Sequence, residues 1–269
     1  MNTKIIGQTM EYNHHRELIN LDWEKKIPVT ELYSCLQGEG SLTGVPHILI
    51  RVTGCKLRCQ FANSFCDTPY ASWKPEKGKF TYQDIEDFYD EHSHINHTMI
   101  TGGGPTSHST MLKMLCLIAK RKGQYITIET EGSEFVQTVG DLISLSPKLS
   151  NSTPRPGTMM DYIGTEVTEK NKEQHEKWRC NYDAMRTLIL KHPDYQLKPV
   201  ISNKEDLDEV KELQNILRVP NDKVWLMPEG LIPADLNNRR KWLMEICQNE
   251  GYNYTDRLHI IAYGDKRGV

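Results

Sequence analysis

Three cysteines, Cys55, Cys59 and Cys66, stand close together in the stretch TGCKLRCQFANSFCDT, residues 53–68. They follow an apolar run and Gly54, so they sit on a loop leaving a sheet edge, where their sulfurs can converge on one point. Structural zinc takes four protein ligands, and a zinc site here would need Cys35 or a histidine such as His47 as the fourth. Iron–sulfur clusters also take four cysteines, and three leave one iron open to another ligand. Three unligated thiols are the remaining reading. The other four of the seven cysteines, Cys35, Cys116, Cys180 and Cys247, are scattered. An odd, scattered set does not suggest a secreted disulfide framework. Cys116 and Cys247 fall in helix-period segments and read as small buried hydrophobes.

These residues must be held by a sizeable frame. At 269 residues the chain can bury a large core, with one domain as the working case. Lys plus Arg number 33 against 36 for Asp plus Glu. This balance gives no broad footprint for direct nucleic-acid binding or for an anionic membrane. The first thirty residues contain no apolar run of signal-peptide length, and no later run approaches a membrane span, so a cytoplasmic location is expected.

Short runs rich in β-branched residues alternate with helix-period segments, which points to an α/β fold of repeated βα units around a mostly parallel sheet. Strands are expected at 30–36, 47–53, 97–101, 125–130, 141–146, 197–202, 223–228 and 257–263. Helices are expected from TYQDIEDFYDEH, with Thr81 as N-cap, and from TMLKMLCLIAKRKG, ending at Gly123. KEDLDEVKELQNIL and PADLNNRRKWLMEICQNEG have the same periodicity. Residues 1–28 read as an N-terminal extension to a domain spanning 29–269, and about 150–182 as a polar surface insertion.

With its neighbouring motifs, the cysteine loop resembles that of the radical S-adenosylmethionine (SAM) superfamily. There, three loop cysteines hold a 4Fe–4S cluster and SAM takes the fourth iron. The usual spacing is CxxxCxxC, whereas this chain reads CxxxCx₆C, with four extra residues within QFANSF. Within that superfamily the chain is similar to the 7-carboxy-7-deazaguanine synthase family. SCLQGEGSLTG matches its SxQGEG motif, LIRVTGC its FVRxxGC pattern, and CDT its continuation after the last cysteine. IETEG resembles vETnG, SLSPK matches SPK, and WLMPEG loosely resembles LQPMDG.

The resemblance implies a partial, open (βα) barrel of the radical SAM type. It implies ring contraction of 6-carboxy-5,6,7,8-tetrahydropterin to 7-carboxy-7-deazaguanine, with loss of ammonia, in queuosine-type biosynthesis. By resemblance, Cys55, Cys59 and Cys66 hold the cluster and Thr68 ligates Mg²⁺. Leu36, Gln37, Gly38, Arg51 and Thr101 meet the pterin, Arg51 by matching its carboxylate with a guanidinium fork. Gly103, Ser146, Pro147, Lys148, Met227, Pro228 and Glu229 correspond to SAM-contacting positions. An electron donor such as flavodoxin or ferredoxin, and a homodimer, are implied in the same way.

Taken alone, Arg51 reads as a structural ion-pair residue, and Ser146 to Lys148 as a strand ending in a turn. TGGGP stands where the superfamily reads GGEP, so Gly104 replaces a glutamate, and a glutamate restored there is expected to tighten SAM binding if the usual geometry is kept. The rival readings are another radical SAM reaction on a related heterocycle and a non-catalytic zinc-binding relative.

Overall fold

The structure, a computed structural model, describes residues 17–62, 64–161 and 164–269. Most of the expected N-terminal extension, up to residue 16, lies outside the described residues. From there on, Leu18 and Ile27 are buried in the main core.

Six strands form the central sheet: β1 (Val29–Leu36), β2 (Pro46–Val52), β3 (His97–Gly102), β4 (Tyr125–Thr130), β5 (Leu142–Leu145) and β8 (Asp194–Leu197), in the order β1-β2-β3-β4-β5-β8. The short connection over residues 37–45 makes β1 and β2 antiparallel. All later neighbours in this sheet are parallel. Helix α1 (Tyr82–Glu91) starts from a capping box, in which Thr81 accepts from the Asp84 amide and Asp84 reaches back to the Thr81 amide. Helix α2 (Ser109–Arg121) is followed by Gly123 at φ 72°.

Strand alternation divides the side chains. Ile48, Ile50, Val52, Ile100, Ile126, Ile128, Ile143 and Leu145 enter the core beneath the helices. Tyr33, Cys35, Leu49, Arg51, Met99, Thr101 and Glu129 face the concave side and line a cavity.

The run expected as one strand at 197–202 is split at Pro199, which has no N–H for a ladder. Beyond it β9 (Val200–Ile201) pairs with β10 (Trp225–Pro228), which pairs with β11 (Asn253–Tyr254), all parallel. A parallel bridge between Leu197 and Val224 links the two sheets. The architecture is thus an open βα array, not a closed barrel. Helices α5 (Asp206–Leu217) and α6 (Pro233–Glu250) lie where the periodicity places them.

Two segments differ from expectation. The run RLHIIAY is not a strand: Leu258–Tyr263 forms helix α7. In seven residues both periods fit the apolar pattern. Leu258 donates its N–H to Gly38 O at 2.9 Å, which starts the turn, and Ile260 is buried while Ile261 and Tyr263 are exposed. The 150–182 segment contains a two-stranded pair, β6 (Met159–Met160) and β7 (Thr165–Glu166), and helix α3 (Glu169–Arg179). Helix α4 (Tyr182–Lys191) follows, and neither α3 nor α4 has a counterpart among the expected helices. Trp178 is the one large apolar residue of α3, too few for a periodic signal. Among the described residues no helix is long and apolar enough to cross a membrane.

Candidate active site

The cavity opens at the C-terminal ends of the parallel strands, where βα loops place functional groups over a rigid sheet. On its floor, Arg51 from β2 is paired through Nε with Glu31 of β1, its register partner, and its second nitrogen reaches the Tyr33 hydroxyl at 3.4 Å. Tyr70 donates to the same Glu31 at 3.2 Å, and Arg267 of the C-terminal tail takes the other oxygen at 2.8 Å. The plain ion-pair reading of Arg51 therefore holds alongside its cavity position. Thr101 donates to Glu129 at 3.0 Å. Gln37 is buried, donating to the Met99 sulfur at 3.0 Å and accepting from the Glu39 amide at 3.2 Å. A Cβ at Gly38 would lie 2.3 Å from His259 Nδ1, so any larger residue there would displace that ring.

One wall is a buried ionic network. Lys198, just past β8, pairs with Glu39 and lies 3.5 Å from Glu129. Arg257 donates to Glu39 at 3.0 Å, to Gly230 O at 2.8 Å, and to Asp67. Burial opposes ionisation of Glu39, yet the Lys198 and Arg257 cations hold its carboxyl well below the usual range. Asp67 is likewise lowered against its burial by Arg257.

Cys55, Cys59 and Cys66 all line the same cavity and pack with Leu57 and Phe61. The widened spacing does not separate the last two. The Cys66 amide donates to Cys59 O at 3.1 Å, Gln60 and Phe65 form an antiparallel bridge, and the Phe61 amide donates to Ser64 O at 2.8 Å. These pairings on either side of the lengthened stretch juxtapose the two cysteines. Trp73 donates to Cys59 O at 3.1 Å and stacks edge-on against Phe65, ring centroids 5.5 Å apart.

The 150–182 segment grips this loop from outside. The Gln60 amide donates to Ser152 O at 2.9 Å, and Arg155 donates to Phe61 O at 3.0 Å. Gln174 reaches Lys56 O at 2.7 Å. Buried His175 accepts from the Arg58 amide at 3.2 Å through Nδ1, which leaves Nε2–H to donate to Ser152 Oγ, also 3.2 Å away. Burial lowers the His175 pKa to about 4, so the ring is neutral near pH 7 and can make both bonds.

Burial pushes all three loop thiols up, so as free groups they are poor nucleophiles, and a bound metal is what can ionise them. The Leu57 amide already points at Cys55 Sγ, 3.3 Å away. Among the described residues no three Cys, His, Asp or Glu side chains form a group able to hold a metal ion. His47, one candidate fourth zinc ligand, stands at the far end of β2, donating to Val45 O at 2.9 Å. Cys35 lines the cavity, but the charged neighbours that move its thiol are Arg51 and Glu129, not the loop cysteines. Three soft thiols around a space beside a glycine turn fit a multi-atom iron–sulfur cluster with one open iron.

Of the other residues singled out in the sequence, Leu36, Gln37, Gly38, Arg51, Thr68, Thr101, Gly103, Ser146, Lys148, Met227 and Glu229 line the cavity. Pro147 and Pro228 do not. Pro147 faces a separate groove beside Glu209, and Pro228 is buried in the β10 ladder against Ile201. Thr68 Oγ1 lies 3.4 Å from Asp67 Oδ1 and 3.5 Å from Cys66 Sγ. Lys148 is tethered to Ser146 Oγ at 2.7 Å, and Glu229 is held by Arg239 and Ser64 at 2.8 and 3.0 Å.

The structure also changes the reading of Gly104. A Cβ there would lie 2.8 Å from the buried Glu131 carboxylate, so a glutamate added at 104 alone meets a carboxylate already in place and does not simply tighten binding. Glu39, Glu129, Glu131, Lys198 and Arg257 were not legible as site residues. Glu39 falls within QGEG, and Glu129 and Glu131 within IETEG, but neither motif assigned them to the site.

No family model matches the chain. The 7-carboxy-7-deazaguanine synthase of Rhodopirellula baltica is 34% identical over 246 residues, covering 91% of this chain and 90% of that protein. The protein of the same name from Halobacterium salinarum is 34% identical over 251 residues, covering 89% and 91%. Among solved structures, the crystal structure of QueE from Escherichia coli has a TM-score of 0.57 over 87% of this chain and 95% of that one. At 19% identity this likeness bears on the fold alone.

Two outcomes follow from the geometry. Glu39→Gln should lower stability near pH 7 by about 3 kcal/mol, the low end for a broken buried pair, because Glu129 and Asp67 still face the two cations. Because the folded Glu39 pKa is depressed, its contribution is full above the unfolded value of about 4.3 and is lost as pH falls below it. Urea titrations of both proteins should therefore converge in acid. His175→Phe should cost about 1–3 kcal/mol by leaving the Arg58 amide unpaired, and should speed iron loss to a chelator from the reconstituted protein.

Proposed function

The chain belongs to the 7-carboxy-7-deazaguanine synthase family, and from that premise we propose how its cavity converts 6-carboxy-5,6,7,8-tetrahydropterin to 7-carboxy-7-deazaguanine with loss of ammonia. The observation that carries this reading is the placement of three loop cysteines and Arg51 on walls of a single cavity. Cys55, Cys59 and Cys66 hold the 4Fe–4S cluster. Together with SAM, the cluster supplies the one-electron chemistry that the side chains present cannot provide.

The chain's own residues bind and orient. Gly103, Ser146, Lys148, Met227 and Glu229 form the wall against which SAM lies, with Pro147 and Pro228 shaping the strand ends behind it. Arg51 receives the pterin carboxylate on the guanidinium edge left free by Glu31, which fixes that end of the substrate. Gln37 spends its amide N–H on a thioether, a weak acceptor, so a substrate carbonyl can displace the sulfur at little cost. Gly38 and Leu36 offer backbone groups to the flat ring. Thr101, oriented by Glu129, presents its hydroxyl from the floor.

Thr68 would ligate Mg²⁺, which would supply a hard cation to polarise a substrate oxygen. A hydroxyl beside a carboxylate suits a hard cation that keeps much of its water. A homodimer, a cytoplasmic location and a flavodoxin- or ferredoxin-type electron donor belong to the same reading. It calls for no direct nucleic-acid or membrane contact.

Anaerobic reconstitution with iron and sulfide tests the proposal. The expected outcome is roughly four irons per chain, an EPR signal of the reduced protein perturbed by SAM, and 7-carboxy-7-deazaguanine formed from carboxytetrahydropterin. Cys66→Ala should keep the fold by circular dichroism and lose the cluster signal. Colourless protein carrying one zinc per chain would favour the non-catalytic reading instead.

A further inference from the structure

The concave face carries several carboxylates, most of them buried, and most have a cation. Glu31 has Arg51, Glu39 and Glu129 share Lys198, Asp67 has Arg257, and Glu229 has Arg239. Glu131 differs. It is 5% exposed and lines the cavity. Its oxygens accept from Ser133 Oγ at 2.5 Å and Thr130 Oγ1 at 3.5 Å. Among the described residues no lysine, arginine or histidine nitrogen lies within 4.0 Å of it. A buried carboxylate without a cationic partner is costly, and facing a cavity it is a natural seat for a ligand's N–H donor.

Its surroundings narrow the ligand. On one side lies the bare backbone of Gly104, where any side chain would crowd the carboxylate. Cys55, one of the loop thiols, lines the same cavity. Lys148 lines the same cavity and stands more than 4.0 Å from the Glu131 carboxylate, beyond ion-pair reach. Opposite charges that face one cavity without touching suit a zwitterion that spans them. The α-amino and α-carboxylate groups of an amino acid have that form.

Resting on the reading that this cavity holds SAM, we propose that Glu131 accepts the amino group of the methionine moiety while Lys148 faces its carboxylate. The carboxylate that reads the amino group thus comes from the end of β4, over Gly104. Glycine at 104 is the space that Glu131 needs.

Equilibrium dialysis of the reconstituted, iron-loaded protein against SAM and its desamino analogue tests this. Glu131→Gln should weaken SAM about 10- to 100-fold at unchanged iron content, and should leave affinity for the desamino analogue as in the parent protein. The double substitution Gly104→Glu with Glu131→Asn moves the carboxylate back across the turn and should recover much of the SAM affinity. Equal loss for both ligands in Glu131→Gln, or no loss for either, overturns the assignment. So does a parent protein that does not distinguish SAM from the desamino analogue. A parent protein that takes up iron but binds no SAM overturns the proposed function itself, and this inference with it.

Discussion

The guanidinium of Arg257 is the interaction on which the site's shape depends. From one buried side chain it reaches Glu39 after β1, Asp67 after the last cysteine, and Gly230 O after β10. Those three points come from remote parts of the chain and are brought around one mouth. An isolated buried charge would be expensive, so the fork is tolerated only because acceptors meet it in fixed directions, with Lys198 completing the charge balance at Glu39. The open array has no closing strand to define its rim. The ionic network serves that purpose, and the same contacts start helix α7 beside Gly38.

The cysteine loop shows how a lengthened spacing can leave ligand positions intact. The chain pairs with itself on either side of the extra residues between Cys59 and Cys66, so the two cysteines remain neighbours. Pairing this short would be marginal in water by itself. Here Ser152, Arg155 and His175 grip the loop backbone, and Trp73 packs from the other side. The polar 150–182 segment therefore buttresses the thiol loop, and its polarity reflects the backbone groups it must satisfy.

Much of this was legible in the sequence. Strands β1 to β5 and helices α1, α2, α5 and α6 announce themselves through period and capping, since each buries one face against the same core. Helix α3 does not, because Trp178 is its one large apolar residue and most of its other contacts are polar. The run 257–263 does not either: seven residues satisfy both periods, and the contacts of Arg257 and Leu258 with residues more than two hundred positions away decide for helix.

For the site, residue types and local spacing singled out the three thiols, and the family resemblance singled out the QGEG turn and the arginine before the loop, because each is a short motif of adjacent residues. Only the tertiary structure decided which charges meet. Glu131 reads from sequence as one more residue of a strand end, and Lys198 as part of one strand over 197–202. Their positions beside Gly104 and Glu39 follow from strand order and register, which no local window contains. A carboxylate's role depends on what lies within a few ångströms of it, and in a parallel sheet those neighbours are supplied by other strands, tens of residues away in the chain.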